Sequence, residues 1–217
     1  MKKLVLSLGI LAALSSAASA QTVKEKLGAL EEGLNDASPI IRLATLEEAL
    51  GDGSKAVRTY AMSQALASDD GDMKELAITH FFTTKTNIAI EVAGDKDLRA
   101  RYDALDDEDQ KKKLYSSERY SFDVPAAYEP SIIYNIKSFD PNSGLFKGNC
   151  MKNRAKVDDS FTFTGVLTGN KLSFEHECYA GERSCSINME LSNDSKFIGT
   201  LQCRGENYPA TAELALK

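Results

Sequence analysis

Few side chains in this sequence are equipped for chemistry, and their spacing narrows the field further. The chain has two histidines, His80 and His176, and four cysteines, Cys150, Cys178, Cys185 and Cys203. His176 stands between Glu175 and Glu177, a donor set that a divalent metal accepts in principle. Successive side chains of a strand point to opposite faces, so on a strand these three cannot share one coordination sphere. His80 closes an apolar stretch beside Phe81 and Phe82, the setting of a satisfied histidine at a helix end. No serine occupies a G-x-S-x-G turn, and neither an H-E-x-x-H helix nor a phosphate-binding glycine loop occurs. Asp158 and Asp159 are adjacent in sequence, but glycoside hydrolysis needs two carboxyls about 5 to 9 Å apart across a cleft. The absence of Trp disfavours a sugar-stacking platform. The expectation is a protein with no catalytic residue, no cofactor and no metal ligand.

The cysteines have another use. They number four, all fall in the last third of the chain, and no two form a C-x-x-C knuckle. Zinc sites built on four thiolates usually carry such a knuckle, whereas an even count in an oxidising space reads as bridges. Two disulfides are expected. Cys178 and Cys185 flank one loop, so a hairpin between their strands would pair them and leave Cys150 to Cys203.

An oxidising space is what the other end of the sequence points to. Met1-Lys2-Lys3 is a short positive segment, Leu4 to Leu14 is apolar apart from Ser7 and Gly9, and Ala18-Ser19-Ala20 follows. That order is the pattern of a secretory signal cut after Ala20. The apolar run is too short to cross a bilayer, which takes about 20 residues. Residues 1–20 are therefore expected to be removed and the remainder to work in the periplasm or outside the cell, with no membrane insertion after cleavage. The net charge is −6, and the cut would remove two cations, Lys2 and Lys3. An acidic surface repels phosphate backbones and anionic lipid, so nucleic acid is excluded as a partner.

The elements that hold these residues differ between the two halves. From Ser131 the apolar period is two: Ile132, Tyr134 and Ile136; Phe146, Gly148 and Cys150; Leu172, Phe174 and His176; Cys185, Ile187, Met189 and Leu191; Phe197, Gly199, Leu201 and Cys203. Thr168-Gly169-Asn170 and Ser192-Asn193-Asp194-Ser195 mark turns. Strands joined by such short turns run antiparallel. One apolar and one polar face imply a meander curled over a single core, as a small barrel or a sandwich. All four cysteines share the apolar parity.

The first half has helical periodicity and a sixteen-residue repeat. Ser38, Pro39, Ile41, Arg42, Leu46, Ala49 and Leu50 are matched by Ser54, Lys55, Val57, Arg58, Met62, Ala65 and Leu66, then by Asp70, Gly71, Met73, Lys74 and Ile78. Ser38, Ser54 and Asp70 are the expected N-caps, each accepting from a free N–H of the first turn, and Pro39 takes the first helical position. An earlier helix carries Val23, Leu27, Leu30 and Leu34 at steps of four, three and four. Units of this kind bury their apolar faces by stacking. The run S-P-I-I-R-L-A-T-L-E-E-A-L followed by S-K-A-V-R-T-Y-A-M-S-Q-A-L resembles the helical repeats of the HEAT and armadillo class over about residues 22–84. The resemblance implies a short curved stack that binds other proteins and carries no activity. Arg42 and Arg58, at one repeat position, are the candidate binding face.

Between the halves, Ile88, Ile90 and Val92 alternate as in a short strand or part of a helix. Asp106 to Asp109 precede Lys111 to Lys113, acids before bases as a surface helix prefers. The expected organisation is a signal at 1–20, a HEAT-like helical domain at 21–95, a charged linker at 96–130 and a disulfide-containing antiparallel β domain at 131–217. The fold class is α+β, a HEAT-like helical stack followed by an antiparallel meander. The functional expectation is an exported, non-catalytic interaction or scaffold protein whose partner is another extracytoplasmic protein. The alternatives are a carrier or sensor of a small apolar ligand held in the β domain, and an inhibitor of an extracytoplasmic hydrolase.

Overall fold

A computed structural model of the chain describes residues 22–128, 131–152, 156–176, 185–203 and 206–216. The expected signal at 1–20 and Cys178 lie outside the described residues. The chain divides into two units, with the boundary between His80 and Phe81 rather than at residue 95.

The first unit is helical: α1 (residues 22–34), α2 (Pro39–Leu50), α3 (Lys55–Ala67) and most of α4 (Gly71–Thr84). Its core is drawn largely from the repeat positions, with Leu46, Ala49, Leu50, Val57, Ala65, Leu66, Met73 and Ile78 buried; at the Met62 position the chain is only half-buried, and the preceding Ala61 is buried instead. The caps depart from expectation. Ser38 and Ser54 are extended N-cap residues whose side chains cap nothing. The acid two residues upstream does the local work instead: Asp36 Oδ1 accepts from the Ser38 N–H at 2.7 Å, and Asp52 Oδ1 from the Ser54 N–H at 2.6 Å. These are Asx turns, in which a short carboxylate takes a backbone donor two residues on. Only Asp70 caps as expected, accepting from Asp72 N at 3.1 Å and Met73 N at 3.4 Å. Pro39 is at the start of α2, where its missing N–H costs nothing.

The second unit is a closed eight-stranded barrel in simple sequence order, every neighbouring pair antiparallel. The strands are β1 (Asn87–Ala93), β2 (Ser131–Phe139), β3 (Leu145–Lys152), β4 (Lys156–Thr168), β5 (Lys171–His176), β6 (Cys185–Leu191), β7 (Lys196–Cys203) and β8 (Ala210–Ala215). The fold is thus α+β with a barrel, not a sandwich. β1 pairs with both β2 and β8, so the short Ile88-Ile90-Val92 segment is the staple that closes the sheet. Residues 96–128, expected as a charged linker, form three helices, α5 (Lys96–Asp103), α6 (Glu108–Ser117) and α7 (Arg119–Tyr128). Caps explain two of them: Asp95 accepts from Leu98 N at 2.7 Å, and Asp107 from the N–H groups of Asp109 and Gln110, each at 2.9 Å.

Aromatic side chains fill the barrel. Tyr134, Phe146, Phe163 and Phe174 meet with ring centroids 5.0 to 5.8 Å apart, mostly edge to face, the arrangement the ring quadrupoles favour. Phe82, in the last turn of α4, adds contacts to Phe146 at 5.6 Å, Phe139 at 5.8 Å and Phe197 at 6.5 Å. Eight strands leave an interior just wide enough for side chains. Gly148 and Gly165 give the rings room: a Cβ on Gly165 would lie 2.4 Å from the Phe146 ring.

Candidate functional site

Arg42 and Arg58 occupy equivalent places and spend their donors on their own chain. Arg42 Nη1 donates to the Asp36 carbonyl at 2.9 Å, and Arg58 Nη1 to the Asp52 carbonyl at 2.5 Å, each six residues back. Arg42 also reaches Asp70 through Nη2 at 2.6 Å and Nε at 3.2 Å. That bond holds the Asp70 carboxyl below the ordinary aspartate range. Lys26 and Asp52 pair in the same sense at 2.7 Å, and the bond lowers the Asp52 carboxyl. Both cations join a helix to the turn that opens the helix after next. His80 has its imidazole pushed down by burial first and by the Arg58 charge second, both of which favour the neutral ring.

The exposed feature beside Arg42 is apolar. Ile40 is 79% exposed and Ile41 47% exposed, in the first turn of α2. At the positions equivalent to Ile41, Val57 is 4% and Met73 2% exposed. The repeat therefore buries this position twice and leaves it open once. Sequence reading missed this, because periodicity assigns Ile41 to the apolar stripe without saying whether a neighbour covers it.

In the barrel, Cys185 and Cys203 are directly opposed on β6 and β7, with Cα atoms 4.0 Å apart, and are joined as a disulfide. This corrects the expected Cys178–Cys185 and Cys150–Cys203 pairing. Ladder register, not proximity along a loop, selects the partner: the two residues share a pleat and an inward direction. Cys150 is also disulfide-bonded and buried.

At the same end of the barrel, the loop between β7 and β8 grips the head of α7. Glu206 accepts from the backbone N–H of Tyr120 and, at 3.1 Å, from that of Ser121. Glu118 returns the grip, accepting from the Asn207 N–H at 2.8 Å and its side-chain amide at 2.7 Å. Both glutamates are buried. Ser121 also lines an open hollow of about 380 Å³, together with Val92, Lys96, Arg99, Phe122 and Pro125; the Arg99 guanidinium lies 5.4 Å over the Phe122 ring. Nothing in the sequence singles out Glu206, a lone acid in a polar loop.

Among the described residues, no group of three or more His, Cys, Asp or Glu side chains is placed to hold a metal ion. Nor is any helix among them long and apolar enough to cross a membrane. No protein-family model matches the chain, and no curated protein sequence matches it.

Proposed function

We propose that this chain is an exported, non-catalytic interaction protein. Its N-terminal helices, a HEAT-like stack, dock an extracytoplasmic protein through the first turn of α2, and its barrel serves as a rigid scaffold. The observation that carries the reading is the open apolar position. Ile40 and Ile41 stand 79% and 47% exposed where the next two units bury the equivalent of Ile41. A large branched side chain left in water forgoes about 1.5 to 3 kcal/mol of burial, and a partner with an apolar groove recovers it. Arg42, within the same turn of α2, donates to the Asp36 carbonyl at 2.9 Å and so ties the segment that precedes the patch to the helix that carries it. Export is supported by the signal-like first twenty residues together with the Cys185–Cys203 disulfide, a bond that persists in oxidising compartments.

The carrier reading finds less support, because aromatic rings fill the barrel. The test is affinity capture from the native envelope or culture fluid with the unaltered chain and with an Ile40→Ser/Ile41→Ser double variant. The reading requires a stoichiometric partner that the unaltered chain retains and the variant loses. Equal capture by both would remove the first turn of α2 from the interface.

A further inference from the structure

The hydrogen bonds around Glu206 add up only if its carboxyl carries a proton. The residue is 6% exposed, and Ser121 is 5% exposed. Glu206 Oε1 accepts both backbone donors described above, which uses its two lone pairs. Oε2 lies 3.0 Å from Ser121 Oγ, and the same Oγ lies 2.5 Å from the carbonyl oxygen of Tyr208. A serine hydroxyl has one proton to donate. The Tyr208 carbonyl can only accept, so the shorter contact takes that proton. The remaining contact, Ser121 Oγ to Glu206 Oε2, then lacks a hydrogen unless the carboxyl supplies it. An ionised Glu206 leaves two acceptors competing for one buried O–H, and an acceptor left over in a buried site is costly. A neutral Glu206 completes the chain: Oε2–H donates to Ser121 Oγ, and Ser121 donates to Tyr208.

We propose that Glu206 is a proton-operated latch, whose neutral carboxyl fastens the first turn of α7 to the loop between β7 and β8 and whose ionisation loosens that attachment. The proposal is independent of the docking role of α2.

The surroundings agree. Burial pushes the Glu206 carboxyl up, outweighing its hydrogen bonds to Ser121 and Tyr120, and the nearby Glu118 charge adds to the rise. Glu118 is itself held by Asn207. On α7, Arg119 and Asp123 pair with each other at 3.0 Å. From α5, Arg101 donates to the Tyr208 hydroxyl at 2.8 Å, and from β7 the Gln202 amide donates to the Glu206 backbone carbonyl at 3.0 Å. A carboxyl that holds its proton more tightly folded than unfolded makes stability fall as pH climbs from the unfolded to the folded value, and the fall then levels off.

The deciding experiment follows the ¹³C resonance of the Glu206 carboxyl in the full disulfide-bonded chain across pH, together with amide exchange protection at Tyr120 and Ser121. The expected result is a Glu206 midpoint above those of the solvent-exposed glutamates, with protection at both amides falling several-fold as it ionises. Glu206→Gln copies the neutral carboxyl: its Oε1 accepts the two N–H groups and its Nε2 donates to Ser121. That variant is expected to keep full protection and to lose the pH dependence. A Glu206 midpoint at or below the ordinary glutamate range would overturn the proposal, as would a folded Glu206→Gln variant with reduced protection at every pH. Should that variant not fold, the titration of the unaltered chain still decides.

Discussion

The guanidinium of Arg42 on α2 lies 2.6 Å from the carboxylate of Asp70, the residue that caps α4. One side chain thus serves two turns, since the same guanidinium also holds the Asp36 carbonyl before α2. Removing it takes the donors from Asp70 Oδ2 and from the Asp36 carbonyl, while Asp70 Oδ1 keeps its cap bonds. Arg42→Ala is expected to lower the denaturant midpoint of the full chain at neutral pH. The sign with pH follows from the depressed Asp70 carboxyl. A depressed folded value gives stability that is present above the unfolded carboxyl value and is lost as pH falls through the folded one. The gap between the unaltered chain and Arg42→Ala should therefore close as pH is lowered through that acid window. Denaturant midpoints at a series of pH values check this.

The buried Met73 and the exposed Ile40 should respond differently to truncation. Met73 is 2% exposed, so Met73→Ala opens a cavity and is expected to cost about 2 to 5 kcal/mol. Ile40→Ser, at a position 79% exposed, should stay within about 0.5 kcal/mol of the unaltered chain. Equilibrium unfolding of the two variants separates stability from docking and establishes that any loss of partner capture in Ile40 variants is not a loss of fold.

The pleated strands were the most legible part of the molecule. Ile132, Tyr134, Phe146, Phe174, Ile187 and Leu201 are all buried on the parity their spacing assigns, because a sheet with one wet face writes its period directly into the residues. Closure was not legible. β1 finds its partners at Ser131–Asn135 and Thr211–Glu213, and seven residues of alternating pattern say nothing about pairing at such separations. Of the three helices between β1 and β2, α6 alone had a legible signal, the acids Asp106 to Asp109 ahead of Lys111 to Lys113, and it forms as the surface helix that order prefers, with no buried residue. α5 and α7 were read as charged linker, because neither carries a comparable run of acids ahead of bases. The Glu206–Ser121 latch was beyond reach because it joins residues 85 positions apart that have no unusual neighbours in sequence. The cysteine pairing failed where loop adjacency was weighed above ladder register.

The Cys185–Cys203 bridge closes a loop with a sequence separation of 18. By chain entropy such a link contributes about 3 kcal/mol. A Cys185→Ala/Cys203→Ala variant is expected to lose about that much in non-reducing denaturant unfolding. Peptide mapping without reductant should recover the two strands as one linked fragment.

Gly148 faces the packed interior, where an added Cβ would sit 1.9 Å from the Asn135 carbonyl oxygen and 2.7 Å from the Phe163 ring. Backbone on one side and a locked ring on the other leave nothing to yield. Gly148→Ala is expected to cost at least about 1 to 3 kcal/mol and to change the near-ultraviolet dichroism of the aromatic cluster. A thermal melt followed at those wavelengths checks it.

Docking through α2 is tested most directly by a photoreactive amino acid placed at Ile40 in the native host, with the same group at Ile198 on the barrel exterior as the control. Ile198 is 45% exposed, so both groups meet solvent and any neighbour. The account predicts one discrete protein adduct from position 40 and none of that identity from position 198. No adduct at position 40, or the same adduct from both positions, would contradict it.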